Sequence, residues 1–349
     1  MSDEDGGNYI STYINENGMV VKDASAMSAL FNLNEYGVLI IGDSFVQADE
    51  IKYEERIGNQ IEEKTGVRVL SHGYSSWAPA IQTNWLLTKK IKKGAKVIYF
   101  VMPNDFIPNY SYNNIGYHKA AIGKQKINGQ TVLEFSSTRT DLPYTKPKFN
   151  QIEILEMRSF FYSRILLFLK SMHQSLSIEE MKIQRSLYNK FKDCSAFNQA
   201  VKDDDFKKLG IYDYLTFRQK VECWSDSHRN QVASGISDIY KAKQYLDTIG
   251  VKLHVYLIPA PWSFSGETII GKSIAGLRYD DLLSHEGLGM FMQSELQKLS
   301  ITFTDLEPVI FKLKMKNDGQ WYFPMDGHFT AYAHKVLAKY MIRDLGISK

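Results

Sequence analysis

Apolar and polar positions divide the chain into short unbroken apolar runs that alternate with amphipathic stretches. The first clear run, residues 38–41, is four branched residues, Val-Leu-Ile-Ile, and it stops at Gly42-Asp43-Ser44. An uninterrupted run of that length suits a strand buried on both faces of a parallel sheet. Over residues 53–64, Ile57 and Ile61 stand at helical spacing among charged residues, and Gly66 is placed to end that helix. Residues 67–70 predict a second strand, followed by the loop Ser71-His72-Gly73-Tyr74-Ser75-Ser76-Trp77-Ala78-Pro79. A helix over about 80–93, closed by Gly94, and a third strand over 95–101 come next; that strand ends at Met102-Pro103-Asn104-Asp105.

The alternation returns with a helix over about 226–248, stopped by Gly250, and a strand over 251–258. A helix over roughly 282–299 and a fifth strand over 301–304 follow, and Met325-Asp326-Gly327-His328-Phe329-Thr330 leads into a last helix over 331–344. Strands alternating with helices predict an α/β fold with one five-stranded parallel sheet. Between its halves, residues of about 109–224 interrupt the pattern. Up to residue 150 this insertion is polar and predicts a hairpin or an irregular excursion; from 152 it turns helical, with the apolar run Ile165-Leu166-Leu167-Phe168-Leu169. Because it leaves the sheet directly after Asn104, it is expected to form a mainly helical cap on the crevice side. Residues 1–35 are weakly patterned and predict an N-terminal arm, which leaves 36–349 as the α/β domain.

Composition narrows the function classes. With 44% hydrophobic and 23% charged residues the chain is that of an ordinary globular protein, and a net charge of +3 argues against broad nucleic-acid or acidic-membrane binding. The one dense basic run, five lysines in residues 89–96, follows an amphipathic pattern and marks a solvated helix end. The acidic, polar start of the chain shows neither a basic n-region nor an apolar h-region, and no apolar run has bilayer-spanning length, so the chain reads as soluble. Its two cysteines, Cys194 and Cys223, stand in no metal-ligand spacing; one disulfide and two buried thiols both fit the sequence. Neither a metal nor a cofactor is expected.

The polar loops at the predicted strand ends carry the chemistry. In open parallel sheets the ligand crevice lies beyond the carboxyl ends of the strands. Acyl transfer requires a nucleophile, a base, a group to orient the base and donors for the oxyanion. Ser44 is placed as nucleophile at a helix N-terminus, where backbone N–H groups and positive dipole gather. His328 is placed as base, Asp326 is near enough in sequence to orient its ring or hold its loop, and Asn104 offers a side-chain amide at the mouth of the third strand. Each part alone fits a turn or a helix cap. Their combination points to a serine enzyme.

These residues carry a resemblance to the SGNH (GDSL-type) hydrolase superfamily, in order and spacing across nearly the whole chain apart from the insertion. Ile40-Ile41-Gly42-Asp43-Ser44 resembles its first block, Asn104-Asp105 its third and Asp326-Gly327-His328 its last. The resemblance implies a flavodoxin-like, three-layer α/β/α fold, with Ser44 as nucleophile, His328 as base, Asp326 as orienting acid, and an oxyanion hole made by Ser44, Gly73, Ser76 and Asn104. The chain departs from the pattern at three positions: Ser76 and Met102 stand where the family usually has glycine, and Met325 stands where it usually has aspartate. The insertion and the ending Asp-Gly-His-Phe-Thr are most similar to bacterial branches that add or remove O-acetyl groups on polysaccharides. The expected function is hydrolysis of small acyl esters on a carbohydrate, through an acyl-serine. Alternatives are an O-acetyltransferase using the same Ser/His site and a catalytically silent glycan-binding protein.

Overall fold

The computed structural model describes residues 13–14, 20–22, 32–74, 77–107, 122–127, 130–135, 217, 221–259, 287–316, 319–323 and 327–348. Five strands, β1 (Val38–Gly42), β2 (Val69–Gly73), β3 (Lys96–Val101), β4 (Lys252–Leu257) and β5 (Thr302–Asp305), form one parallel sheet in the order β2-β1-β3-β4-β5. Seven helices accompany it among the described residues: α1 (Ser44–Gln47), α2 (Ile57–Thr65), α3 (Pro79–Leu87), α4 (Asp226–Thr248), α5 (Leu288–Lys298), α6 (Leu306–Lys314) and α7 (Ala331–Asp344).

Alternation along the central strands sorts the core into two layers. Leu39, Ile41, Val97, Tyr99, Val255 and Leu257 face α3, α4 and α5, whereas Val38, Ile40, Ile98, Phe100 and Tyr256 face α1, α2, α6 and α7. Every residue of β1 is buried, as its unbroken apolar run predicts for a central strand covered on both faces. The chain is therefore α/β with helices on both faces of a parallel sheet. No described helix is long and apolar enough to cross a membrane.

Two element boundaries and one added helix depart clearly from the sequence expectation. The second strand runs over Val69–Gly73 rather than 67–70, so Ser71, His72 and Gly73 pair with Ile40, Ile41 and Gly42 instead of forming a loop. His72 is nonetheless buried, its ring packed against Trp77 and Trp85, and burial pushes its imidazole down to about 3, so it sits there neutral. The third helix ends at Leu87 rather than near 93. An additional helix, α6, begins directly after β5, where the Asp305 side chain caps it by accepting from the Glu307 N–H at 2.9 Å.

Two small antiparallel pairs lie outside the sheet, Tyr13–Ile14 with Val20–Val21 and Ile122–Ile127 with Gln130–Phe135. The second is the hairpin anticipated early in the insertion. The expected helical cap, residues 152–216 in particular, lies outside the described residues. Cys223 is disulfide-bonded; the sequence holds one other cysteine, Cys194, which is also outside them.

Candidate active site

The strand order places a topological switch at β1, whose neighbours β2 and β3 lie on opposite sides, and ligand crevices form outside the strand ends at such a point. β1 ends at Gly42 and β3 at Val101, with Ile41 opposite Tyr99 in register, so the loops carrying Ser44 and Asn104 leave the sheet side by side. Ser44 is the first residue of α1, a single turn whose N-cap is Asp43; the Asp43 carboxylate accepts from the Phe45 N–H at 3.0 Å. This cap fixes the turn that presents the Ser44 hydroxyl.

Gly73 sets the other wall of the serine turn. A Cβ at this position would fall 2.5 Å from the Asp43 carbonyl oxygen, 2.7 Å from Val46 Cβ and 3.0 Å from the Gln47 nitrogen. Only glycine lets the edge strand approach so closely. Gly73 thus lies directly against the backbone turn that carries Ser44. Ser76 lies outside the described residues. Asn104 occupies the one-turn 3-10 helix Pro103–Asp105, and its Oδ1 is buried without a hydrogen-bond partner among the described residues. Such unsatisfied atoms are uncommon in folded proteins and call for a functional or solvent partner.

His328 arrives from the far end of the chain on a pinned turn. The Gly327 N–H donates to the Phe323 carbonyl at 2.9 Å, the Phe323 N–H donates to the His328 carbonyl at 2.9 Å, and Tyr322 bridges Phe329. Gly327 takes a φ of +82°, a left-handed conformation that favours glycine. The imidazole packs on the Phe45 ring with centroids 4.8 Å apart, and its Nε2 lies 2.8 Å from Ser44 Oγ. Ser44 and His328, separated by 284 positions, thus meet at hydrogen-bond distance, as the sequence motifs anticipated.

The other ring nitrogen faces a residue that the motifs did not single out. His328 Nδ1 lies 3.4 Å from Oε1 of Glu50, whose side chain is only 9% exposed. Glu50 follows α1 across Ala48, which takes a left-handed φ of +50° and turns the chain back toward the site. Beneath it, Arg56 is buried and ion-paired with Asp49 at 3.6 Å, and its charge also acts on Glu50. An acidic pair, Asp49-Glu50, two residues beyond an otherwise uncharged helix turn, is the sequence signal that marks it. Asp326, the orienting acid expected from the resemblance, lies outside the described residues.

Two carboxyl groups sit behind the serine. Asp43 is 2% exposed; burial pushes its carboxyl up to about 6, against the pull of the Phe45 N–H and the His328 charge. Burial, and then the Asp43 charge, pushes Asp105 well above the ordinary carboxylate range. The folded state therefore holds the Asp43 proton more tightly than the unfolded chain, and this contribution to stability is present below about pH 4 and lost as the pH rises through about 6. Asparagine keeps the N-cap acceptor without the charge. Asp43→Asn should thus gain stability relative to the parent as pH rises from 4 to 7, by up to about 3 kcal/mol. Parallel melts of the two proteins across that range check this; a constant difference would show that the buried carboxyl does not titrate there.

No protein-family model and no curated protein matches the chain.

Proposed function

We propose that the chain is a serine esterase of the SGNH type, acting on small acyl esters carried by a carbohydrate. The observation that carries this reading is the 2.8 Å contact between Ser44 Oγ and His328 Nε2 at the switch point of the sheet. In the reaction Ser44 Oγ attacks the acyl carbonyl while Nε2 takes its proton; the same nitrogen then returns the proton to the departing sugar oxygen, leaving an acyl-serine. The Ser44 backbone N–H and the Asn104 side-chain amide are the donors for the oxyanion, since the N–H groups of Phe45, Val46 and Gln47 donate to Asp43. Water, activated in turn by His328, releases the acid. A sugar hydroxyl held in the same place receives the acyl group instead, which makes the enzyme a transferase.

A carbohydrate is favoured by Tyr74, which follows Gly73 at the carboxyl end of β2 and is 50% exposed, with Trp77 behind it at 6.4 Å between ring centroids. An exposed aromatic face beside a crevice suits stacking against a sugar ring. Tyr74→Ala should raise KM for an acetylated oligosaccharide several-fold while leaving hydrolysis of a small activated acetate within about two-fold. Equal loss on both substrates, measured by steady-state kinetics, would remove Tyr74 from substrate recognition.

The function itself is tested by incubating the protein with a small acetyl ester, with and without an oligosaccharide acceptor, and following protein and sugar by mass spectrometry. An acetyl adduct on Ser44 with free acetate supports the esterase, and acetylated sugar the transferase. A protein that binds oligosaccharide but forms no adduct and releases no acetate is a silent glycan binder, and the proposal then fails.

A further inference from the structure

Taking Ser44 and His328 as the reacting pair, we propose that Glu50 is the residue that orients His328, so that the third member of the site follows the nucleophile in sequence instead of preceding the base. Three features of the fold argue for it. The first is aim: Glu50 Oε1 faces Nδ1, the ring nitrogen turned away from Ser44, at 3.4 Å. A carboxylate there accepts a hydrogen bond from Nδ1–H, which keeps the proton on Nδ1 and leaves Nε2 unprotonated and able to take the hydrogen of the Ser44 hydroxyl at 2.8 Å.

The second feature is support. Glu50 is nearly enclosed, and a carboxylate in such a place needs a counter-charge to stay ionised. The charge of Arg56 acts on Glu50 and supplies it; Arg56 is itself buried and ion-paired with Asp49, which in turn accepts from Gln47 Nε2 at 2.7 Å. The acid is therefore held by packed neighbours on the same side of the sheet as α1 and α2, not by a free surface loop. The third is economy of chain: Glu50 follows Ser44 by only six residues, with the left-handed Ala48 turning the chain between them, so nucleophile and orienting acid are fixed by one continuous segment. Only the base has to be delivered from elsewhere.

Glu50 acts through His328 and touches no substrate, so its removal carries a signature beyond lost rate. Among the described residues, the charges of Asp43 and His334 also act with His328, and both remain in the variant. Deleting the Glu50 charge makes the imidazole easier to deprotonate, because an adjacent anion favours the protonated ring.

The experiment measures the pseudo-first-order rate at which an activated phosphonate ester modifies Ser44, from pH 4 to 9, in the parent and in Glu50→Gln, Glu50→Asp and Asp326→Asn, with a melt of each protein. The expected result is a loss on the order of a hundred-fold or more in Glu50→Gln, with its acid limb moved to lower pH by about one unit. Glu50→Asp keeps the charge at a longer reach and should recover part of the rate with the limb near its parental position. Glu50→Asp also carries the test if Glu50→Gln does not fold, since a slowed rate with an unmoved limb is expected only where the carboxylate faces the ring. Labelling of Glu50→Gln at the parental rate and pH dependence, or a larger loss in Asp326→Asn than in Glu50→Gln, overturns the assignment. A parent that is never modified at Ser44 instead overturns the serine-esterase reading and this inference with it.

Discussion

Ser44→Ala should abolish acyl transfer, with turnover of a small acetyl ester reduced by roughly 10⁴-fold to 10⁶-fold and no acetyl adduct on the protein. The loss is large because the covalent route has no substitute oxygen: the Asp43 cap and the α1 backbone remain, but nothing on them can bond to the acyl carbon. Stability should barely change. The variant gives up one hydrogen bond to His328, worth about 1 kcal/mol, and alanine suits the first helical turn. A melting temperature within a few degrees of the parent, together with lost turnover, separates chemistry from folding. Retained turnover in a folded Ser44→Ala protein would mean that the serine is not the nucleophile.

His328→Ala should fall nearly as far, and the double variant no further. A nucleophile and its base act as a unit, so removing either already removes proton transfer and attack together. The imidazole also packs on Phe45, which adds a packing cost of about 1 kcal/mol. The informative comparison is the cycle of parent, two single variants and double variant, measured on one activated acetate. Additive losses, with the double variant far slower than either single, would show that Ser44 and His328 contribute independently and that their 2.8 Å contact is not the catalytic one.

The reading from sequence succeeded where periodicity is strong. The helix expected over 226–248 is α4, Asp226–Thr248, and that expected over 331–344 is α7, Ala331–Asp344, because both carry an apolar stripe many turns long between a cap and a stop. It failed where tertiary context overrules local composition. Ser71 and His72 look like loop residues, yet pairing with Ile40 and Ile41 draws them into β2. The helix α6 abuts β5 without a breaker, so its start leaves no mark except Asp305.

The site divides in the same way. Ser44 and His328 are legible because each interrupts a regular pattern at a strand or helix end, where chemistry is usually placed. Glu50 is not, since its partnership depends on a left-handed residue at Ala48 and on a base 278 positions later. Asp49, Glu50 and Arg56 share one short window and the acidic pair marks it, but nothing in that window points to His328; the sheet and the α1 turn bring them together.

That wiring has a consequence for synthesis. The segment carrying Ser44 is translated before the one carrying His328, and β1, its scaffold, needs both β2 and β3 alongside it; all three are made by residue 101. His328 is encoded on a turn that docks only after β4, β5 and α6 have been added, and it is pinned by contacts between residues 321 and 330. Pairings of such sequence separation form late and slowly. A nascent chain carrying Ser44 therefore waits without its imidazole for more than two hundred residues of translation, and during that wait its hydroxyl is an ordinary alcohol. In the proposed reaction, acyl chemistry would switch on only with the closing of the turn that carries His328, and a chain terminated before residue 328 would carry Ser44 without the imidazole that the reaction needs.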